Sequence, residues 1–164
     1  MASSLRIDLF CEVIDNFGDA GVCWRLARQL VNEHGCRVTL WIDKPSVLKR
    51  ISPEVDSDLD RQTVSGVNIR LWREDFPHVP LGDIPDVVIE GFGAHLPEGY
   101  VRQMAQNLPQ PAWINLEYLS AESWVEDSHL MPSPQSWIPL TKYFYFPGFT
   151  ERTGGLIREK LLVS

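Results

Sequence analysis

The chain has 164 residues, 44% of them hydrophobic, which is enough for one well-packed domain and too few for two of ordinary size. Its net charge of −7 and pI near 5.0 lack the basic footprint of a nucleic-acid binder; such acidity either aids solubility, the commoner case for charge alone, or suits a cationic partner. No run approaches 18 apolar residues, and Met1-Ala-Ser-Ser-Leu-Arg6 is not a basic region followed by an apolar core, so neither a membrane span nor an export signal is expected.

In chain order, the apolar run Ile7 to Ile14 predicts a central parallel strand. Asp15-Asn-Phe-Gly-Asp19-Ala-Gly21 then reads as a strand-to-helix turn carrying two carboxylates and two glycines. Val22, Cys23, Leu26, Ala27, Leu30 and Val31 form one apolar stripe, with Arg25, Arg28, Gln29 and Asn32 opposite, so a helix from Val22 to His34 should pack on the sheet. Gly35 supplies its left-handed C-cap, and Arg37 to Ile42 is the second strand.

Pro45 to Ile51 suits a short helix, Glu54 to Asp60 a solvated connection, and Val67 to Trp72 a strand. A turn-rich stretch from Phe76 precedes Asp86 to Glu90, a buried parallel strand closed by Gly91-Phe-Gly93. Tyr100, Val101, Met104, Ala105 and Leu108 repeat the helical stripe, and Ala112 to Leu116 is a further buried strand. Ser123 and Glu126 match a capping box, and the aromatic run Tyr143 to Phe149 reads as core or interface. Alternating strands and helices predict an α/β fold with a right-handed, doubly wound, mainly parallel sheet.

In such sheets ligands bind beyond the carboxyl ends of the strands, so the Asp15–Gly21 turn is the candidate site. Asp19 there is either an N-cap and Asp15 an Asx-turn residue, or both face a ligand. A dinucleotide fingerprint fits poorly, because Asn16 stands where G-x-G-x-x-G needs glycine and phosphates would meet two carboxylates. Binding a cation, holding a sugar hydroxyl or abstracting a proton suits the turn better. Glu90, beside Gly91 and Gly93, either faces the same crevice as Asp15 or ends its strand in solvent.

The remaining motifs exclude more than they suggest. His34, His78, His95 and His129 form no H-x-x-x-H or Cys/His cluster, so no metal site is expected, and His34 complements a helix C-terminus. Cys11, Cys23 and Cys36 lie in apolar segments without C-x-x-C spacing, which predicts buried reduced thiols and a cytoplasmic compartment. There is no G-x-S-x-G elbow and no P-loop. A receiver-like phosphoacceptor domain needs an aspartate at a later strand end and a following lysine, and neither Asp75 nor the residues after Asn115 provide them.

Three blocks, Asp15 to Leu30, Asn115 to Glu126 and Phe146 to Leu156, together resemble the bacterial protein-arginine rhamnosyltransferases that modify elongation factor P. The resemblance implies an inverting glycosyltransferase of GT-B type, with two Rossmann-like domains facing a cleft and rhamnose passing from dTDP-β-L-rhamnose to an arginine of the factor. Residues 1–164 would be the N-terminal, acceptor-facing domain, and the donor-binding domain, with a further catalytic glutamate, would lie in a C-terminal part absent from this chain. Carried onto this sequence, it makes Asp19 the general base, Asp15 its supporting carboxylate, and Asn16, Phe17 and Gly18 the wall of the donor's sugar end. It implies no cofactor and no metal, no membrane and no nucleic-acid partner. A non-catalytic domain that recognises an arginine-bearing protein is the competing reading.

Overall fold

The computed structural model describes residues 4–14, 16–80 and 82–160, with the side chain of Asn16 outside that description. Eight strands form one mainly parallel sheet with helices on both faces. β1 (Arg6–Cys11) is followed by α1 (Asn16–His34), β2 (Arg37–Ile42), α2 (Pro45–Ile51), β3 (Arg61–Val64), β4 (Val67–Leu71) and β5 (Val87–Gly91). Then come α3 (Glu98–Gln106), β6 (Ala112–Leu116), the one-turn α4 (Val125–Ser128), β7 (Pro132–Pro134) and β8 (Thr141–Tyr145). The spatial order is β3-β4-β2-β1-β5-β6-β8-β7, parallel from β4 to β8, with β3 and β7 antiparallel at the edges.

β1 is central, as its apolar run predicts. The chain builds outward through β2 on one side, then returns to pair β5 against the other, so the strand order reverses between β1 and β5. Alternate residues of these strands serve different cores. Leu9, Cys11, Leu40 and Ile42 pack with Cys23, Trp24 and Ala27 of α1 and Leu48 of α2. Phe10, Trp41, Val88 and Trp113 pack with Tyr100, Val101 and Met104 of α3.

α1 starts at Asn16, six residues before the amphipathic stripe does. Gly18 and Gly21 have ordinary negative φ and lie inside the helix. Asp19 is therefore not the N-cap. Its carboxylate sits in the first turn and reaches back to accept the Ile14 backbone N–H, as acidic groups near a helix start do. The C-terminus follows expectation: Gly35 takes φ +66, and Cys36 N–H bonds to Leu30 O at 3.0 Å, six residues back.

Several expectations are corrected. β1 ends at Cys11, after which Val13 N–H turns to Asp43 Oδ1 at 2.8 Å and Ile14 is exposed. Ser123 and Glu126 make no capping box: α4 follows Trp124, which gives no side-chain cap, and Glu126 pairs instead with Arg152 at 3.2 Å. Leu108 lies past α3 and is exposed. Cys11 and Cys23 are buried free thiols, whereas Cys36 is only half-buried. Part of the proline-rich and aromatic segment forms the β7/β8 edge, where Phe146 is buried while Tyr143 and Phe149 are exposed. Among the described residues no helix is long and apolar enough to cross a membrane.

Candidate functional site

The strand ends at the β1/β5 reversal define a crevice of the kind in which α/β sheets bind ligands. Asp19 stands at its α1 side. It is fully buried, with Oδ2 accepting the Ile14 N–H at 3.0 Å and Oδ1 accepting the Tyr118 hydroxyl at 2.8 Å.

Tyr118 comes from the segment beyond β6 and is 48% exposed. Its ring stacks on Phe92 with centroids 4.3 Å apart and planes 12° from parallel. Phe92, one residue past β5, holds φ +56, a left-handed conformation that bulky residues seldom adopt. Its N–H bonds to Leu116 O at 2.7 Å, which ties the platform to the end of β6. The preceding Gly91 leaves room for α1: a Cβ there would meet Cys23 Sγ at 3.0 Å and Phe10 O at 3.2 Å.

Of the other residues assigned to the turn, Phe17 and Gly18 lie exposed on the first turn of α1. The Phe17 ring carries the Arg50 guanidinium 5.5 Å from its centroid. Asn16 is the first residue of α1, and Asp15 lies outside the described residues.

Glu90 neither opens to solvent nor shares the α1 side. It is 3% exposed on the α3 face, where Oε1 accepts from Trp113 Nε1 at 2.7 Å and Lys142 Nζ at 3.2 Å. Burial pushes its carboxyl above the usual range, opposed by the Lys142 charge and by its hydrogen bonds from Lys142 and Trp113. Its physical role is to join β5, β6 and β8 beneath the surface.

A cleft of about 410 Å³ runs along the same edge of the sheet, lined by Glu12, Asp43, Trp72, Arg73, Glu74, His95 and Pro97. These residues follow β1, β2, β4 and β5, so their positions at predicted strand ends were the available clue. Tyr118 had no comparable signal, because only the fold brings it to a residue 99 positions away. No three His, Cys, Asp or Glu side chains among the described residues are grouped to hold a metal ion.

Residues 7–164 match the family model described as Elongation-Factor P (EF-P) rhamnosyltransferase EarP. The chain is 49% identical over 157 residues to a protein-arginine rhamnosyltransferase of Pseudomonas aeruginosa, covering 96% of this chain and 41% of that protein. It is 49% identical over 158 residues to the protein of the same name from Pseudomonas putida, again 96% and 41%. A Neisseria meningitidis protein of that name is 46% identical over 153 residues, 93% of this chain and 38% of its own length. The chain thus spans about two fifths of these relatives. A match over nearly all of its residues shows that this chain belongs to the EF-P rhamnosyltransferase EarP family.

Proposed function

We propose that the whole protein carrying this chain transfers rhamnose, with inversion, from dTDP-β-L-rhamnose to an arginine side chain of translation elongation factor P. This chain is then the Rossmann-like, acceptor-facing half of a GT-B-type enzyme acting in the cytoplasm. Its relatives bear the name protein-arginine rhamnosyltransferase, and the family's description names elongation factor P. The observation that carries the reading at residue level is Asp19, a fully buried carboxylate at the switch-point crevice. Asp19 is the general base, Asp15 supports it, and Asn16, Phe17 and Gly18 wall the sugar end of the donor.

The acceptor chemistry calls for such a group. A guanidinium keeps its proton up to a pH above about 12 and is a poor nucleophile. A carboxylate about 4 Å away attracts it by roughly 4 kcal/mol at an effective dielectric near 20, enough to orient the planar fork but not to deprotonate it beforehand. Proton loss therefore accompanies attack on the anomeric carbon, opposite the departing diphosphate. Glu12, Asp43 and Glu74 in the adjoining cleft, interleaved with Arg73 and His95, add a negative field on the approach of a cationic loop.

The test is incubation of the whole protein with dTDP-β-L-rhamnose and elongation factor P. Mass spectrometry is expected to find one deoxyhexose on one arginine, and NMR the inverted anomeric configuration. Binding of the factor without any mass gain would overturn transfer in favour of recognition alone.

A further inference from the structure

Asp19 is entirely covered, so the route by which a proton reaches it is a structural question. Ile14 contributes a backbone N–H that is spent on Oδ2. Tyr118 is different: its phenol touches the buried carboxylate at 2.8 Å while nearly half of the residue remains exposed. The Phe92 platform, itself held in a strained backbone conformation, fixes the ring in that bridging pose. A hydroxyl can donate one proton and accept another at the same oxygen, so it can pass a proton where a carboxylate is out of reach.

We propose that Tyr118 is a catalytic proton relay between the acceptor nitrogen and Asp19. The inference rests on Asp19 being the final base. As the acceptor nitrogen bonds to the anomeric carbon, the bond from that carbon to the diphosphate oxygen breaks, and the leaving group takes the electron pair. The nitrogen's proton moves to Tyr118 Oη while the Tyr118 proton moves to Asp19 Oδ1. The products are a glycosylated guanidinium, a nucleoside diphosphate, a neutral Asp19 and an unchanged tyrosine, so charge and atoms balance. Guanidinium, phenol and carboxyl groups ordinarily titrate above about 12, near 10 and near 4, so the proton runs toward the weaker base only as attack acidifies the nitrogen.

The decisive variant is Tyr118→Phe in the whole protein, which keeps the ring and its stack on Phe92. Single-turnover transfer is expected to fall by roughly 100-fold, with KM for donor and acceptor little changed. Rates in mixtures of light and heavy water should show two protons in flight in the wild type and one in the variant. Fluorinated tyrosines at 118, which retain ring and hydroxyl, should alter kcat in step with phenol acidity, and they decide the matter even where Tyr118→Phe folds poorly. Unchanged kcat in Tyr118→Phe, or a lowered acceptor KM with unchanged kcat, overturns the relay. With Asp19→Asn inactive, that outcome leaves Asp19 as a base in direct contact with the acceptor, whereas an active Asp19→Asn overturns the base assignment itself.

Discussion

Asp19 and Glu90 are both buried carboxylates near the carboxyl ends of central strands, yet the sheet uses them in opposite ways. Glu90 meets an indole that is 4% exposed and a lysine whose side chain is 19% exposed, and that lysine also lies 5.0 Å over the same indole ring. The arrangement closes on itself. Asp19 meets a backbone N–H on one oxygen and, on the other, a phenol that is 48% exposed. Burial is common to the two, so burial alone assigns neither a role. What separates them is how covered the partner is: Trp113 and Lys142 are largely enclosed, whereas Tyr118 is nearly half exposed.

The sharpest way to break this contrast is Asp19→Asn in the whole protein. Asn keeps an oxygen for the Ile14 N–H, and its amide can donate to a Tyr118 hydroxyl turned to accept, so the melting temperature should change little. The basic group is nevertheless gone, and single-turnover transfer should fall by roughly two to four orders of magnitude. Near-normal transfer would place Asp19 with Glu90 as a structural acid. Loss of transfer together with unfolding would assign it to holding the start of α1.

Removing one partner of the closed pair should do the reverse. Lys142→Met leaves Glu90 buried with Trp113 alone, and breaking buried ion pairs in this way costs about 3–5 kcal/mol, here toward the lower end because Lys142 is partly solvated. Urea unfolding measures it. A second change, Glu90→Gln, should recover part of the loss, since the uncompensated charge is then absent. At temperatures where the variants stay folded, transfer should be unaffected. A lysine variant that folds normally but loses transfer would show that the Glu90 network reaches the crevice after all.

The fold was legible wherever one residue pattern served one environment. β6 falls at Ala112–Leu116 and α2 at Pro45–Ile51, as their patterns predict, and β4 and β5 lie within a residue of expectation. Legibility failed where the stabilising group was distant or backbone-borne. The first six residues of α1 include two glycines and precede the apolar stripe, and their visible support is the Asp19 bond to Ile14. β3 reads as polar, and pairs with β4 through a hairpin whose Ser65 and Gly66 both have positive φ, so the turn rather than the strand carried the information. β8 hid in an aromatic run because it lies toward the sheet edge with residues partly exposed on both faces. At the site, Asp19 was legible as an acid at a strand-to-helix junction, whereas Glu90's commitment to Lys142 and Tyr118's to Asp19 join residues 52 and 99 positions apart.

A third carboxylate extends the comparison and carries the smallest effect. Asp8 on β1 faces the α3 side, where its Oδ2 accepts the Tyr100 hydroxyl at 2.7 Å. Burial raises its carboxyl from 3.8 to about 6, against the favourable influence of Tyr100, Trp41, Arg70 and Arg6. The Trp41 indole N–H leans toward the carboxylate without completing a hydrogen bond. Because the folded state holds this proton more tightly than the unfolded chain, the resulting stability is fully present below about pH 3.8 and is lost as pH rises through about 6. The shift corresponds to up to about 3 kcal/mol at neutral pH. Asp8→Asn, which keeps an oxygen for Tyr100, is never charged and should unfold at higher urea than wild type at pH 7.5, with the advantage shrinking toward pH 4.5. An Asn variant whose stability relative to wild type is the same at both pH values would show that Asp8 is solvated well enough to ionise freely. The Asp8–Tyr100 pair, unlike the Asp19–Tyr118 pair, would then be no guide to what burial does to a carboxylate in this sheet.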